Sequence, residues 1–275
     1  MKNTFRITLL LTALAAIFMA CEKNDTNIDN GKNNGNENAT LERVIIYTVG
    51  GNEKKRTLET ESEWDAMLEQ LCDQARNGSE VTFYNTRHTT GIKSYQKKYS
   101  KDNNTISTTN REELKNWMKE KEKQGLTVCI SYDENSGTWK GKAYATAPAQ
   151  NTMENILGSW NFKYIVWSRY DFEGNKLNSD LYEPEADGGS MYYTFYKDGT
   201  VTLTFNGMDS TTAIDKSKWT LSDDGILSSE LLPSGASWNV SWITKNTMIL
   251  SRNVYGTEEG NYHYQLYFES VIKNE

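Results

Sequence analysis

Three prolines, three cysteines and two histidines are all that 275 residues contain, and only one long apolar run interrupts an otherwise polar chain. Three cysteines cannot build a disulfide-dense scaffold. The histidines, His88 and His263, lie far apart, and no His or Cys pair has metal-ligand spacing, so a structural zinc site is not expected. Basic charge is short as well: 30 Lys+Arg stand against 37 Asp+Glu, a net charge of −7. That balance argues against nucleic acid and against docking on anionic head groups by charge. No phosphate-cradling glycine loop and no Ser-His-Asp order occurs, and the acid pair Asp223-Asp224 sits in a turn, so no catalytic constellation is expected.

What the chain does have begins with its apolar run. Lys2 and Arg6 precede a core from Ile7 to Ala20, too short to span a ~30 Å hydrocarbon layer, which needs roughly 20 helical residues. It fits the central region of a secretory signal, ending at the small residue Ala20. The tetrad Phe18-Met19-Ala20-Cys21 resembles the lipobox of bacterial lipoproteins. That resemblance implies cleavage before Cys21, a thioether-linked diacylglycerol on its sulfur and an acylated mature N-terminus. Removing residues 1–20 takes Lys2 and Arg6 away and moves the net charge from −7 to −9. The next stretch, "EKNDTNIDNGKNNGNENAT", has one large apolar residue, Ile28, and cannot bury enough surface to offset its ordering entropy. Residues 21–40 therefore read as a tether with a reach on the order of 25 Å. The expected location is the bacterial cell envelope, lipid-anchored at the outer membrane, on either its periplasmic or its outer side.

Residues 41–147 read as an α+β domain that states one pattern twice, over 43–86 and 91–146. "RVIIYTV" and "KKRTLET" form a hairpin around Gly50-Gly51. A helix follows with Thr60 and Glu63 as its capping box, an apolar stripe at Trp64, Met67, Leu68, Leu71 and Ala75, and Gly78 at its end. "EVTFYN" is the next strand. In the second copy Tyr95 matches Tyr47, Thr109 and Glu112 cap the helix, and Leu114, Trp117 and Met118 form its stripe. Gly125, Val128 and Ile130 match Gly78, Val81 and Phe83, and "TWKGKAYATA" adds a strand. Two helices on one face of an antiparallel sheet are expected. In "LTVCISY" Cys129 falls opposite the apolar set, which argues against pairing with Cys72. His88, and the basic hairpin "KSYQKKYSKDNN", read as solvated. "DENSGTWKG" begins like a calcium loop, but Tyr144 stands where a bidentate Glu is needed, so it reads as a turn. The domain resembles a type found in lipoproteins of gut anaerobes, to which no activity is attached.

Residues 148–154 read as a linker, and 155–273 as eight antiparallel strands joined by one longer loop, "DFEGNKLNSDLYEPEADGG", after the first strand and by tight turns such as "KDG", "SDDG" and "TKN". Eight strands in sequence order form an up-and-down barrel, which removes exposed edges. Gly158-Ser159-Trp160, opening the first strand after a short helix, resembles the G-x-W motif of lipocalins. "FYKDGTVTLTF" and "WITKNTMILSR" resemble the lipocalin-like domains of bacterial lipoproteins. By that resemblance Trp160 plugs the closed end of the barrel.

Alternation assigns the interior. Trp160, Phe162, Tyr164 and Val166 share a face, as do Met191, Tyr193 and Phe195; Val201, Leu203 and Phe205; Trp238, Val240 and Trp242; and Tyr262, Tyr264, Leu266 and Phe268. His263 falls outside, on the surface. Arg252 continues the inward series Met248 and Leu250 and could meet an anionic head group at the mouth. An eight-stranded barrel is just wide enough to fill itself or to hold one small ligand, and roughly ten aromatics burying ~150–250 Å² each could do the filling. Trp238, Trp242, Tyr264, Tyr193 and Arg252 are the candidate ligand contacts. No cofactor, metal or nucleic acid is expected. The expected function is non-enzymatic: a membrane-tethered protein whose barrel binds a small apolar or glycan-like ligand. The alternative is an envelope interaction module with a self-filled barrel as spacer.

Overall fold

The structure is a computed structural model, and it describes residues 43–86, 104–147, 149–172, 176–207, 212–257 and 260–271. The first sheet comprises β1 (Arg43–Val49), β2 (Asn52–Leu58), β3 (Val81–Asn85), β4 (Thr105–Thr108), β5 (Thr127–Asp133) and β6 (Thr138–Tyr144), in the spatial order β2-β1-β3-β5-β6-β4 and antiparallel throughout. Helices α1 (Glu61–Arg76) and α2 (Arg111–Lys123) bury Trp64, Met67, Leu68, Leu71, Leu114 and Met118 against Ile45, Val81, Phe83, Val128 and Ile130 on one face of it. About the central β3–β5 pair, β6 occupies the place opposite β1, and β4 the place opposite β2. Tyr95, His88 and the basic hairpin lie outside the described residues.

Cap chemistry explains where the helices start. Thr60 Oγ1 accepts from the Glu63 N–H while the Glu63 carboxylate accepts from the Thr60 N–H, the reciprocal box expected of that spacing. In α2 the cap is Asn110 and not Thr109: its Oδ1 accepts from the N–H groups of Glu112 and Glu113. Asparagine caps at least as well as threonine, and the neighbouring Thr108 hydroxyl is engaged by the Glu113 carboxylate. Cys72 is buried in the helix-side core and Cys129 lies on the other face of the sheet; both are free thiols.

A charge cluster with Arg43 and Glu122 buried and Glu61 at the surface ties β1 to the helices. Arg43 reaches Glu61 at 2.7 Å and Glu122 at 3.6 Å, and Glu122 also accepts from Asn85 Nδ2 at 2.6 Å. Burial pushes the Glu122 carboxyl above its ordinary value, against the opposing pull of Asn85 and Arg43. A carboxyl raised in the folded state contributes stability that is present below its unfolded value and lost as pH rises through the folded one. Glu122→Gln, which keeps an acceptor for Asn85, is expected to flatten that loss. Urea midpoints compared between pH 4 and pH 8 in both proteins check this.

The second sheet opens after helix α3 (Ala149–Ile156), which takes up most of the expected linker. Its strands are β7 (Gly158–Tyr170), β8 (Lys176–Tyr182), β9 (Ser190–Phe195), β10 (Thr200–Asn206), β11 (Thr212–Leu221), β12 (Ile226–Ser229), β13 (Ser237–Ile243), β14 (Thr247–Thr257) and β15 (Gly260–Ser270). Eight of them, β7 and β9 to β15, pair in sequence order, and β15 pairs back onto β7 to close an antiparallel barrel. The ninth, β8, lies in what reads from sequence as a loop. It pairs with the second half of β7, while β9 pairs with the first half.

The barrel rests on the face of the first sheet that the helices leave open. Ile46 and Tyr84 pack there against Tyr164, Trp242, Ile249 and Tyr267. Glu53 accepts from Trp242 Nε1 (3.2 Å), Thr244 Oγ1 (2.5 Å) and Thr247 Oγ1 (2.8 Å). Gln265 Nε2 donates to the Tyr84 hydroxyl (2.8 Å), and Thr127 Oγ1 to the Ser241 carbonyl (2.6 Å). Directional bonds of this kind fix the orientation of the two sheets as well as their contact.

Candidate functional site

Two β-bulges decide which side chains enter the barrel. Between β7 and β15 the pairing passes from Phe162↔Phe268 to Tyr164↔Tyr267, leaving Lys163 as the extra residue. Between β13 and β14 it passes from Val240↔Leu250 to Trp242↔Ile249, leaving Ser241. A one-residue offset sends every later side chain to the opposite face. Tyr164, Val166 and Trp242, expected inside, therefore lie on the outer wall against the first sheet. Trp167 turns inward in their place.

The remaining inward set fills most of the lumen. Ile156, Trp160, Phe162, Met191, Phe195, Val201, Trp219, Trp238, Leu266 and Phe268 belong to one buried cluster. Trp160 is 2% exposed, and its Nε1 donates to the Ile156 carbonyl at 2.8 Å, so the end of α3 and the start of β7 close the barrel together. The segment after β12 also folds inward, burying Leu231, Leu232 and Pro233. Tyr193 crosses the lumen to donate its hydroxyl to the Leu231 carbonyl at 3.1 Å, and Trp238 Nε1 donates to the Pro233 carbonyl at 3.3 Å. Burial holds the Tyr193 phenol well above its ordinary value, so it remains a donor. Tyr193 and Trp238 are thus inside, as alternation requires, but their polar groups are engaged by the protein itself.

At the end of the barrel away from Trp160 the described interior side chains are less deeply buried. Arg252, Tyr264 and Trp167 are cross-strand partners on β14, β15 and β7, and so present their side chains to the same interior face. All three are half-buried. Tyr182 of β8 stands beside Ile165 one step deeper, and Leu203 and Phe205 of β10 complete the ring. The exposed Asp180 pairs with Trp167 in the same row, and one step further out Arg169 pairs with Tyr262, which stacks on Tyr264 at 5.9 Å between ring centroids. The mouth therefore combines apolar ring faces with guanidinium groups and a carboxylate. This arrangement can hold an apolar body and orient a polar or anionic group.

Of the five expected ligand contacts, Tyr264 and Arg252 meet at this mouth, Tyr193 and Trp238 belong to the filled lumen, and Trp242 lies outside it. His263 does point away from the lumen but is 3% exposed, with Nδ1 at 2.6 Å from Asn253 Oδ1, and is no surface residue. Cys21 lies outside the described residues. Among the described residues, no group of three His, Cys, Asp or Glu is placed to hold a metal ion, and no helix is long and apolar enough to cross a membrane.

The fold and mouth define an eight-stranded antiparallel β-barrel, closed at one end and packed against an α+β sheet. No protein-family model and no curated relative matches the chain. Among solved structures it is similar to a lipocalin-like protein from Bacteroides uniformis, at 14% identity and a TM-score of 0.28, over 42% of this chain and 99% of that one. It is also similar to an uncharacterized protein from Bacteroides eggerthii, at 12% identity and a TM-score of 0.27, over 42% of this chain and 99% of that one. A bovine odorant binding protein, a deswapped triple mutant, matches at 14% identity and a TM-score of 0.26, over 44% of this chain and 77% of that one.

Proposed function

We propose that the chain is a non-enzymatic, lipid-anchored protein of the bacterial cell envelope whose barrel binds a small apolar or glycan-like ligand at its mouth. The observation that carries the reading is the row Arg252–Tyr264–Trp167, three half-buried side chains on neighbouring strands facing one interior. With the lumen below filled by Phe162, Leu266 and the inward Leu231–Leu232 segment, the site is shallow. The ligand is accordingly small, or only one end of it enters. Tethering rests on Cys21 after its apolar run and on the asparagine-rich segment that follows.

Native mass spectrometry of the purified full chain is expected to show a retained small molecule, and an anilinonaphthalene sulfonate probe is expected to bind at the mouth. Trp167→Ala or Arg252→Met should weaken probe binding about tenfold, since losing ~1–2 kcal/mol of ring burial or charge contact corresponds to that factor. Trp238→Phe should leave it unchanged. The second reading, an interaction module with the barrel as spacer, draws on the Tyr193–Leu231 bridge across the lumen and on the bonds around Glu53. No retained mass, together with equal probe binding in the Trp167 variant, would select it.

A further inference from the structure

The outer wall of the barrel carries a second concavity, away from the mouth. An open groove of about 740 Å³ runs across β10, β11, β12 and the start of β13, lined among others by Thr200, Lys216, Lys218, Thr220, Ser228 and Ser237. That volume falls within the ~300–1,000 Å³ typical of small-molecule sites. The register explains the lining. Lys218 pairs with Thr200, Lys216 with Thr202, Thr220 with Ser228, and Ser228 with Ser237, so hydroxyls and ammonium groups share one outward face. Lys216 and Lys218, two residues apart on one strand, project on the same side roughly 7 Å apart. Asp198 and Glu230 stand at the rim.

The chemistry of this lining is selective. Two cations close together on a chain of net charge −7 favour an anion. The Asp198 carboxylate accepts from the Thr200 N–H at 2.8 Å, and bonding to Thr200 holds it below the ordinary carboxylate range, with the charges of Lys218 and Lys216 a smaller cause. The Lys218 ammonium itself donates to the Thr200 hydroxyl at 3.4 Å and the Asp198 carbonyl at 3.5 Å. Phosphate brings nearly two charges on one small group into a groove whose two lysines stand beside two carboxylates, Asp198 and Glu230, whereas a single carboxylate brings one. A sugar ring offers donors to those carboxylates and acceptors to the serine and threonine hydroxyls. Adding a carboxylate to that ring supplies the partner for the lysines.

We infer that the groove over Lys216, Lys218, Ser228 and Ser237 is a binding site for an acidic carbohydrate, a pyranose bearing a carboxylate. The site is independent of the barrel mouth, and either can fail without the other. Ligand-observed saturation-transfer NMR on the full chain, with a galacturonic acid trimer as probe, tests it. Transfer is expected from the trimer, with at least tenfold weaker binding in the Lys216→Met/Lys218→Met double variant and no change in Trp167→Ala. Both lysines are exposed, and the circular dichroism spectrum of the double variant should match that of the parent. The inference is overturned by absence of transfer, by equal binding of a neutral galactose trimer, by displacement with inorganic phosphate at equal concentration, or by undiminished binding in the double variant.

Discussion

Replacing Trp160 by alanine is expected to remove ~3–5 kcal/mol of stability, the range for deleting a large buried ring. A domain has only about 5–15 kcal/mol to lose. The effect has two sources. Trp160 fills the closed end beside Ile156, Phe162 and Phe268, so its loss opens a cavity that the closed barrel cannot collapse to fill. Its Nε1 also satisfies the Ile156 carbonyl, which would be left buried without that donor. Trp160→Phe restores most of the packing but not the bond, and should cost about 1–2 kcal/mol, the difference being mainly the unmet carbonyl. Urea denaturation followed by circular dichroism separates these values. A loss under ~1 kcal/mol for the alanine variant would show that α3 does not close the barrel through this residue.

How much of this was legible beforehand follows from local periodicity. Eight strands in order, the short helix before Trp160, the Thr60–Glu63 capping box and the helix stripes all depend on neighbours within a few residues, and they stand in the structure as expected. Alternation also identified Met191, Tyr193, Phe195, Trp238, Leu266 and Phe268 as interior. It failed after Lys163 and after Ser241, because a bulge adds one residue without any compositional mark. The candidate site suffered most from this. Trp167 was hidden on the wrong face, and Trp242 was assigned to a lumen it never enters.

β8 escaped notice for a different reason. "KLNSDLY" is rich in residues disfavoured in strands, and its place depends on the length by which β7 outruns β9. The inward fold of Leu231, Leu232 and Pro233 is a tertiary event that strand patterning reads simply as the tail of a strand. Nor could one strand's sequence show that Tyr164, Tyr267 and Trp242 are aromatic on the outside because another sheet covers them. An apolar outer face looks from sequence like an ambiguous register.

Replacing Cys21 by serine is expected to move the protein from almost wholly membrane-bound to almost wholly soluble. A thioether needs sulfur, so serine cannot accept the diacylglycerol. Each buried CH₂ contributes ~0.8 kcal/mol, and two or more acyl chains make attachment stable where a single one is marginal. Nothing in residues 22–40 would compensate: the segment has one large apolar residue and no basic cluster. Membrane fractions of cells carrying each form, labelled with an alkyne palmitate, check this directly. Labelling of the parent and its loss in Cys21→Ser, with the same tryptophan fluorescence in both, places the anchor at this sulfur and leaves the folded part untouched. If the serine form still resists a carbonate wash, residues 7–20 hold the membrane themselves as an uncleaved segment. The asparagine-rich stretch would then be a spacer from a helix rather than from a lipid.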